Sequence, residues 1–427
     1  MQPHDIPTSP SSLTPADYTF TIPGHIRFGW GCRSGLGEVA ARLGRRAILV
    51  SGGSSLASSG RLAELADILR TAGLGVETVG SAGREPDIAA VDQLVETFRQ
   101  LSAGPGDVIV AAGGGATLDL AKAAAGVCPQ PDARTVRDFL EGIGSGRQLT
   151  EPAMPLIAIP TTAGTGSEAT RNAVVASHDP PVKKSIRSES MIPRVALVDP
   201  ELTVTLPPGP TAASGLDALT QLIESYLSSR RQPLPSALCL QGIPLAVRAL
   251  PAVMRNPGDQ EARTHMAHAA LLSGMALGNS GLGLAHGVAA ALGAVGHVSH
   301  GLACAVMLPA ALRFNRPSCE AELARLELCC RAEVDQCASP GFSGSSSRPL
   351  DEEGRSSEAG TADLADAFLQ RIEKLCRLLK IPLSLSELGV DSGQLEDLVD
   401  GSQGNSLRGN PVPVSREQLA EVLESML

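Results

Sequence analysis

In the first half of the chain, short unbroken apolar runs alternate with stretches whose apolar residues fall three or four apart. Ala47 to Val50 is one such run and ends in Ser51-Gly52-Gly53-Ser54-Ser55, the pattern of a strand passing into a turn. Leu62 to Leu69 has helical spacing closed by Gly73, and Val76 to Val79 predicts the next strand. Asp87 to Leu101 is again helical, and Asp107 to Ala111 predicts a buried strand leading into Gly113-Gly114-Gly115. Leu156 to Ile159 and Val195 to Val198 read as later strands of the same half. Strands alternating with helices at this spacing predict parallel βαβ units. The pattern changes near Leu206-Pro207-Pro208-Gly209-Pro210, and from Ala212 onward the period is helical. The expected organisation is a flexible tail over 1–20, an α/β domain over 21–208 and an all-α domain over 209–427. A Ser-, Gly- and charge-rich stretch at about 339–361 is expected to be a mobile surface insertion. Ala267 to Val298 is long enough to span a bilayer, but His268, Asn279, His286 and His297 interrupt it, so a buried helix pair is predicted.

Composition narrows the picture. A chain of 427 residues exceeds what one hydrophobic core usually serves, which favours two domains sharing a cleft. Hydrophobic residues make up 43% but aromatic ones 2%, so the interior must be close-packed Ala, Leu, Val and Ile. A net charge of -10 leaves no basic footprint for nucleic acid or an anionic membrane, and small-molecule partners are expected instead. The nine cysteines stand singly apart from Cys329 and Cys330, without a CxxC pair, and read as reduced core thiols. Met1 to Thr14 is Pro- and Ser-rich with no basic region before an apolar run, so a cytoplasmic location is expected.

Three constellations carry candidate chemistry. Gly113-Gly114-Gly115-Ala116-Thr117-Leu118-Asp119-Leu120-Ala121-Lys122 sits between a predicted strand and helix. Glycines there admit a pyrophosphate to the opening N–H groups of the helix, although an ordinary glycine turn has the same composition. Pro160-Thr161-Thr162-Ala163-Gly164-Thr165-Gly166-Ser167-Glu168 also follows an apolar strand, and its hydroxyls suit either a nucleotide or a substrate pocket. Open α/β sheets bind ligands at such strand ends. In the helical half, Asp217 and Gln221 lie one turn apart, with His286 and His300 downstream. These four could hold a divalent metal, or the histidines could be structural.

Together with Val198-Asp199-Pro200-Glu201-Leu202-Thr203, Gly215-Leu216-Asp217-Ala218-Leu219-Thr220, Gly281-Leu282-Gly283-Leu284-Ala285-His286-Gly287, Leu308-Pro309, Asn315 and Gly409-Asn410-Pro411, these loops resemble the iron-containing (group III) alcohol dehydrogenases. The likeness runs from about Phe28 to the end, interrupted mainly by the insertion. It implies a Rossmann-like nucleotide-binding domain followed by an all-α domain, in the dehydroquinate synthase-like architecture, with a catalytic divalent metal, Fe(II) or Zn(II), between them. It implies NAD(P) as cofactor, held by Gly52, Gly53, Ser54, Ser55, Gly113, Gly114, Gly115, Asp119, Lys122, Thr161, Thr162 and Thr165. It implies Asp217, His286 and His300 as metal ligands and catalytic residues, with Gln221 where the family has its remaining histidine. Two further departures are Ala290, where many members carry a histidine, and Ser299, where proline is usual. His265, His268 and His297 are expected to be packing or surface residues.

The expected reaction is hydride transfer between NAD(P) and a small, not strongly anionic alcohol, aldehyde or ketone, in a homodimer or larger homo-oligomer. The Ser51-Gly52-Gly53-Ser54-Ser55 loop has no acidic residue to repel a 2′-phosphate, so NADP use is expected. The alternatives are a maleylacetate-reductase-like enzyme without metal dependence, which Asp217 argues against, and a nucleotide-binding homologue that has lost catalysis.

Overall fold

Residues 17–81, 83–338 and 360–427 are described by the computed structural model; the expected tail and insertion lie outside them apart from 17–20 and 360–361. Six parallel strands form the first half: β1 (His25–Phe28), β2 (Arg46–Gly52), β3 (Gly75–Ser81), β4 (Asp107–Gly113), β5 (Leu156–Pro160) and β8 (Val195–Val198), in the order β1-β8-β5-β4-β2-β3. The helices between them are α1 (Leu36–Ala41), α2 (Ser55–Ser58), α3 (Arg61–Thr71), α4 (Ile88–Gln100) and α5 (Gly115–Val127).

The period of two along each strand decides which helices cover which face. Ile48, Val50, Ile109 and Ala111 share a core with α4 and α5, whereas Ala47, Leu49, Val108 and Val110 share one with α1 and α3. Burial on both faces is why β2 and β4 read as unbroken apolar runs. The chain leaves β2 for one face and β4 for the other. The order therefore reverses between two adjacent strands, which is where such sheets open a ligand crevice at their carboxyl ends.

Sequence patterning did not anticipate β1 or the antiparallel hairpin of β6 (Asn172–His178) and β7 (Pro181–Arg187). β1 has four residues, and β7 carries Lys183, Lys184 and Arg187, so neither offers an apolar run.

The second half is helical: α6 (Pro208–Leu227), α7 (Pro233–Arg255), α8 (Gln260–Leu277), α9 (Leu284–Val295), α10 (His300–Asn315), α11 (Glu320–Ala338), α12 (Thr361–Leu378), α13 (Leu395–Gly401) and α14 (Arg416–Glu424). The apolar stretch Ala267 to Val298 is divided between α8 and α9, as a buried pair. α7 is long and apolar enough to cross a membrane by length and composition, and it packs against α6, α8 and α11.

The two halves meet backbone to backbone. Gly166 has φ +61°, and a Cβ on it would lie 2.3 Å from the Cα of Gly274 in α8; a Cβ on Gly274 would lie 2.2 Å from the Gly166 carbonyl oxygen. Glycine is required on both sides of this crossing.

Candidate active site and metal centre

The nucleotide loops are built from small residues pressed together. Gly113 ends β4, and Gly114 caps α5 in extended geometry, leaving the opening N–H groups of that helix without helix carbonyls to pair with. A Cβ on Gly115 would lie 2.5 Å from Thr165 Cγ2, and one on Gly114 3.3 Å from Thr162 Cγ2. Thr161 N–H donates to the Gly113 carbonyl at 2.9 Å. All three threonines singled out from the sequence thus stand against the glycine loop. Gly52 joins them from β2: Cβ atoms on Gly52 and Gly113 would meet the Thr117 hydroxyl at 1.8 and 2.5 Å. Thr117 was not among the expected residues, and its place in the first turn of α5 is the signal that marks it. Ser54 and Ser55 are exposed beyond Gly53.

Two of the residues expected at the cofactor are engaged by other groups of the protein. Lys122 is fully buried, and its ammonium donates to the Ser167 carbonyl at 2.9 Å, Thr170 Oγ1 at 2.9 Å and the Asn172 carbonyl at 2.5 Å. Its three donors are spent. Asp119 lies 3.2 Å from that ammonium and accepts from Ser167 Oγ at 2.5 Å and Val174 N–H at 3.0 Å. Both side chains brace the second loop from α5. Glu168, buried in the same loop, is pushed up to about 7 by burial, against the pull of Lys122.

The donor cluster lies in the helical half. Asp217 on α6, His286 on α9 and His300 on α10 converge with Cys304, one turn along α10, so that one ligand atom from each lies within 4.8 Å of all the others. Asp217 Oδ1 is 3.3 Å from His286 Nε2 and 3.8 Å from His300 Nε2. The Asp217 and His286 side chains are 2% and 4% exposed, while His300 is 37% exposed and marks the open side.

Asp217 Oδ1 and His286 Nε2 are buried without a hydrogen-bond partner. Two such orphans facing each other are costly unless a cation lies between them, so these residues fit a divalent metal. Without one, the Cys304 sulfur and the Asp217 carboxylate raise His300 to about 9, against the opposing effect of burial. Burial would raise Asp217, yet His300 and His286 hold it below the usual carboxylate range.

Glu224 was missed from the sequence. It is buried on α6 and accepts from His286 Nδ1 at 2.7 Å and from the N–H groups of Gly283, Ala285 and His286 at 3.0, 2.6 and 3.3 Å. This fixes the proton on Nδ1 and leaves Nε2 to face Asp217. The signal was available: Asp217, Gln221 and Glu224 recur at helical spacing in an otherwise apolar helix. Gln221 is buried and its Oε1 accepts from Ser273 Oγ at 2.7 Å. Cys304 is no mere core thiol, since its sulfur stands 3.7 Å from His300 Nε2. The other described histidines stay outside the cluster; His268 packs against Phe28 with ring centres 5.2 Å apart.

Residues 23–200 match the family model described as iron-containing alcohol dehydrogenase, and 211–427 match that of the Fe-containing alcohol dehydrogenase family, C-terminal. The chain belongs to the iron-containing alcohol dehydrogenase family. It is 31% identical over 96% of its length to the NAD-dependent methanol dehydrogenase of Bacillus methanolicus, 99% of which is covered. It is 29% identical over 95% of its length to the NADPH-dependent butanol dehydrogenase of Clostridium saccharobutylicum, 97% of which is covered. A crystal structure of 1,3-propanediol oxidoreductase superposes with a TM-score of 0.84 at 27% identity, covering 96% of this chain and all of that one. As a member of this family the protein is an NAD(P)-dependent oxidoreductase of the alcohol dehydrogenase type, and the α/β and all-α halves have the family's fold.

Proposed function

We propose that the protein interconverts small aldehydes or ketones and their alcohols with NADP(H) used at least as well as NAD(H). The observation that carries this reading is the single constellation joining a glycine loop for pyrophosphate to a buried donor set with two orphaned atoms. A nicotinamide cofactor held at the Gly113 to Gly115 loop would supply a hydride to the carbonyl carbon, with a proton taken up on the oxygen. A divalent metal held by Asp217, His286 and His300 would supply Lewis-acid stabilisation of charge on that oxygen. Glu224 keeps His286 in one tautomer and one orientation throughout. The α5 N-terminus and the three threonines orient the cofactor. With Ala290 offering no proton relay on α9, the proton comes from solvent on the His300 side, where the cluster is open.

The preference for NADP(H) rests on Gly52, Gly53, Ser54 and Ser55, none of which carries a charge to oppose a 2′-phosphate. Steady-state kinetics over a panel of aldehydes and alcohols with both cofactors should give kcat/KM for NADPH equal to or above that for NADH. A strong NADH preference, with Ser55→Ala affecting neither cofactor, would overturn it. Gly114→Asp should abolish NADPH binding in a fluorescence titration, because it sets a carboxylate at the pyrophosphate subsite and its Cβ crowds Thr162. Unchanged affinity in that variant would remove the loop from the cofactor site. The same reading puts the enzyme in the reducing cytoplasm, supported by the eight described cysteines, none of them in a disulfide.

A further inference from the structure

We propose that Cys304 is a ligand of the metal centre, its thiolate taking the coordination place that Gln221 does not fill, and that the centre consequently prefers zinc to iron(II). This rests on the metal-dependent reading above.

Two independent features of the site support it. The first is distance. Zinc binds imidazole nitrogen and carboxylate oxygen at about 2.0–2.2 Å and thiolate at about 2.3 Å, so a tetrahedral set places neighbouring N and O donors roughly 3.3 Å apart and S and N donors roughly 3.6 Å apart. The structure has Asp217 Oδ1 and His286 Nε2 at 3.3 Å and Cys304 Sγ and His300 Nε2 at 3.7 Å, with Asp217 Oδ1 and His300 Nε2 wider at 3.8 Å on the open side. The second is where Gln221 spends its oxygen. Oε1 accepts from Ser273 Oγ on α8 at 2.7 Å, a bond that ties this oxygen to α8.

Helical geometry explains why the sulfur is within reach. His300 and Cys304 are four residues apart on α10, so both side chains project from one face towards Asp217 on α6. A soft thiolate beside two imidazoles and one carboxylate makes a mixed S, N and O set, which suits zinc better than the harder iron(II). As the sulfur binds, the thiol proton passes to solvent.

Cobalt(II) titration of the full-length, chelator-stripped protein tests the assignment. The wild type and Gln221→Ala should both show a thiolate-to-cobalt charge-transfer band in the near ultraviolet, with one cobalt per chain. Cys304→Ser should lose that band while keeping the visible ligand-field bands. Chelator competition should show zinc weakened in Cys304→Ser by more than the ~10–100-fold that losing an outer-shell partner costs. It should also show the preference for zinc over iron(II) reduced. Cys304→Ala stands in if the serine variant fails to fold. Visible cobalt bands in the wild type without the charge-transfer band would overturn the assignment and leave the metal reading standing. Failure of the wild type to bind cobalt or zinc at all would overturn the metal reading, and the thiolate ligand with it.

Discussion

Glu224 accepts four hydrogen bonds from one short segment, Gly283 to His286, and so ties the start of α9 to the orientation of a metal-facing ring. Replacing it with glutamine keeps the shape but removes the charge and puts an N–H where an acceptor is needed. Glu224→Gln should weaken metal binding by about 10–100-fold while the protein stays folded. Chelator competition and a thermal melt check this, and unchanged affinity would reduce Glu224 to a helix cap. At this scale the sequence was partly legible. Asp217, His286 and His300, which the fold brings together, could be singled out because their motifs are distinctive. Cys304 looked like any small apolar position, and the partners that Lys122 finds inside the protein were not legible because sequence position does not say what a side chain's donors meet once buried.

The crossing of the second loop over α8 is the element on which the two halves turn from neighbours into one site. Gly274→Ala would drive a Cβ into the Gly166 carbonyl oxygen at 2.2 Å, with backbone on both sides and no flexible side chain to yield. The variant should lose about 1–3 kcal/mol of stability, together with kcat/KM. Denaturant unfolding and steady-state kinetics measure the two. Gly209→Ala, whose Cβ would meet nothing within 4 Å, is the matched control and should be near neutral. Equal midpoints for the two variants would show that the crossing can relax. Elements buried on both faces were the easiest to foresee, since β2, β4, β5 and β8 have no solvent side to blur their apolar runs. The β6–β7 hairpin was not foreseen because its outer face mixes charged and apolar residues, which leaves no clean alternation.

Across the whole molecule, Glu168 and His300 are among the raised groups that shape the pH response of the metal-free protein, with His286 also held, against burial, well above its ordinary value by its Cys304, Asp217 and Glu224 neighbours. Glu168 rises from an ordinary 4.5 to about 7 through burial, and His300 from 6.5 to about 9, chiefly through the Cys304 sulfur and then Asp217. A group whose folded pKa is raised stabilises fully below its unfolded value and loses that contribution as pH passes its folded one. Stability of the metal-free form should therefore decline from about pH 5 to 9, first through Glu168 and then through His300. Metal affinity should run the other way and tighten between pH 6.5 and 9, because a proton must leave His300 before it can serve as a ligand. Melts of stripped protein and metal titrations over this range test both slopes. Flat profiles would mean that neither group titrates in the folded state. The Gly166–Gly274 crossing also carries a mechanical consequence. Thr165, one residue away, touches the glycine loop, and Ser273, one residue away on the other side, holds Gln221 one helical turn from Asp217. The lever arm from this fulcrum to either reactant's seat is a few residues long. Bending elsewhere in the two halves is therefore scarcely magnified at the gap the hydride must cross.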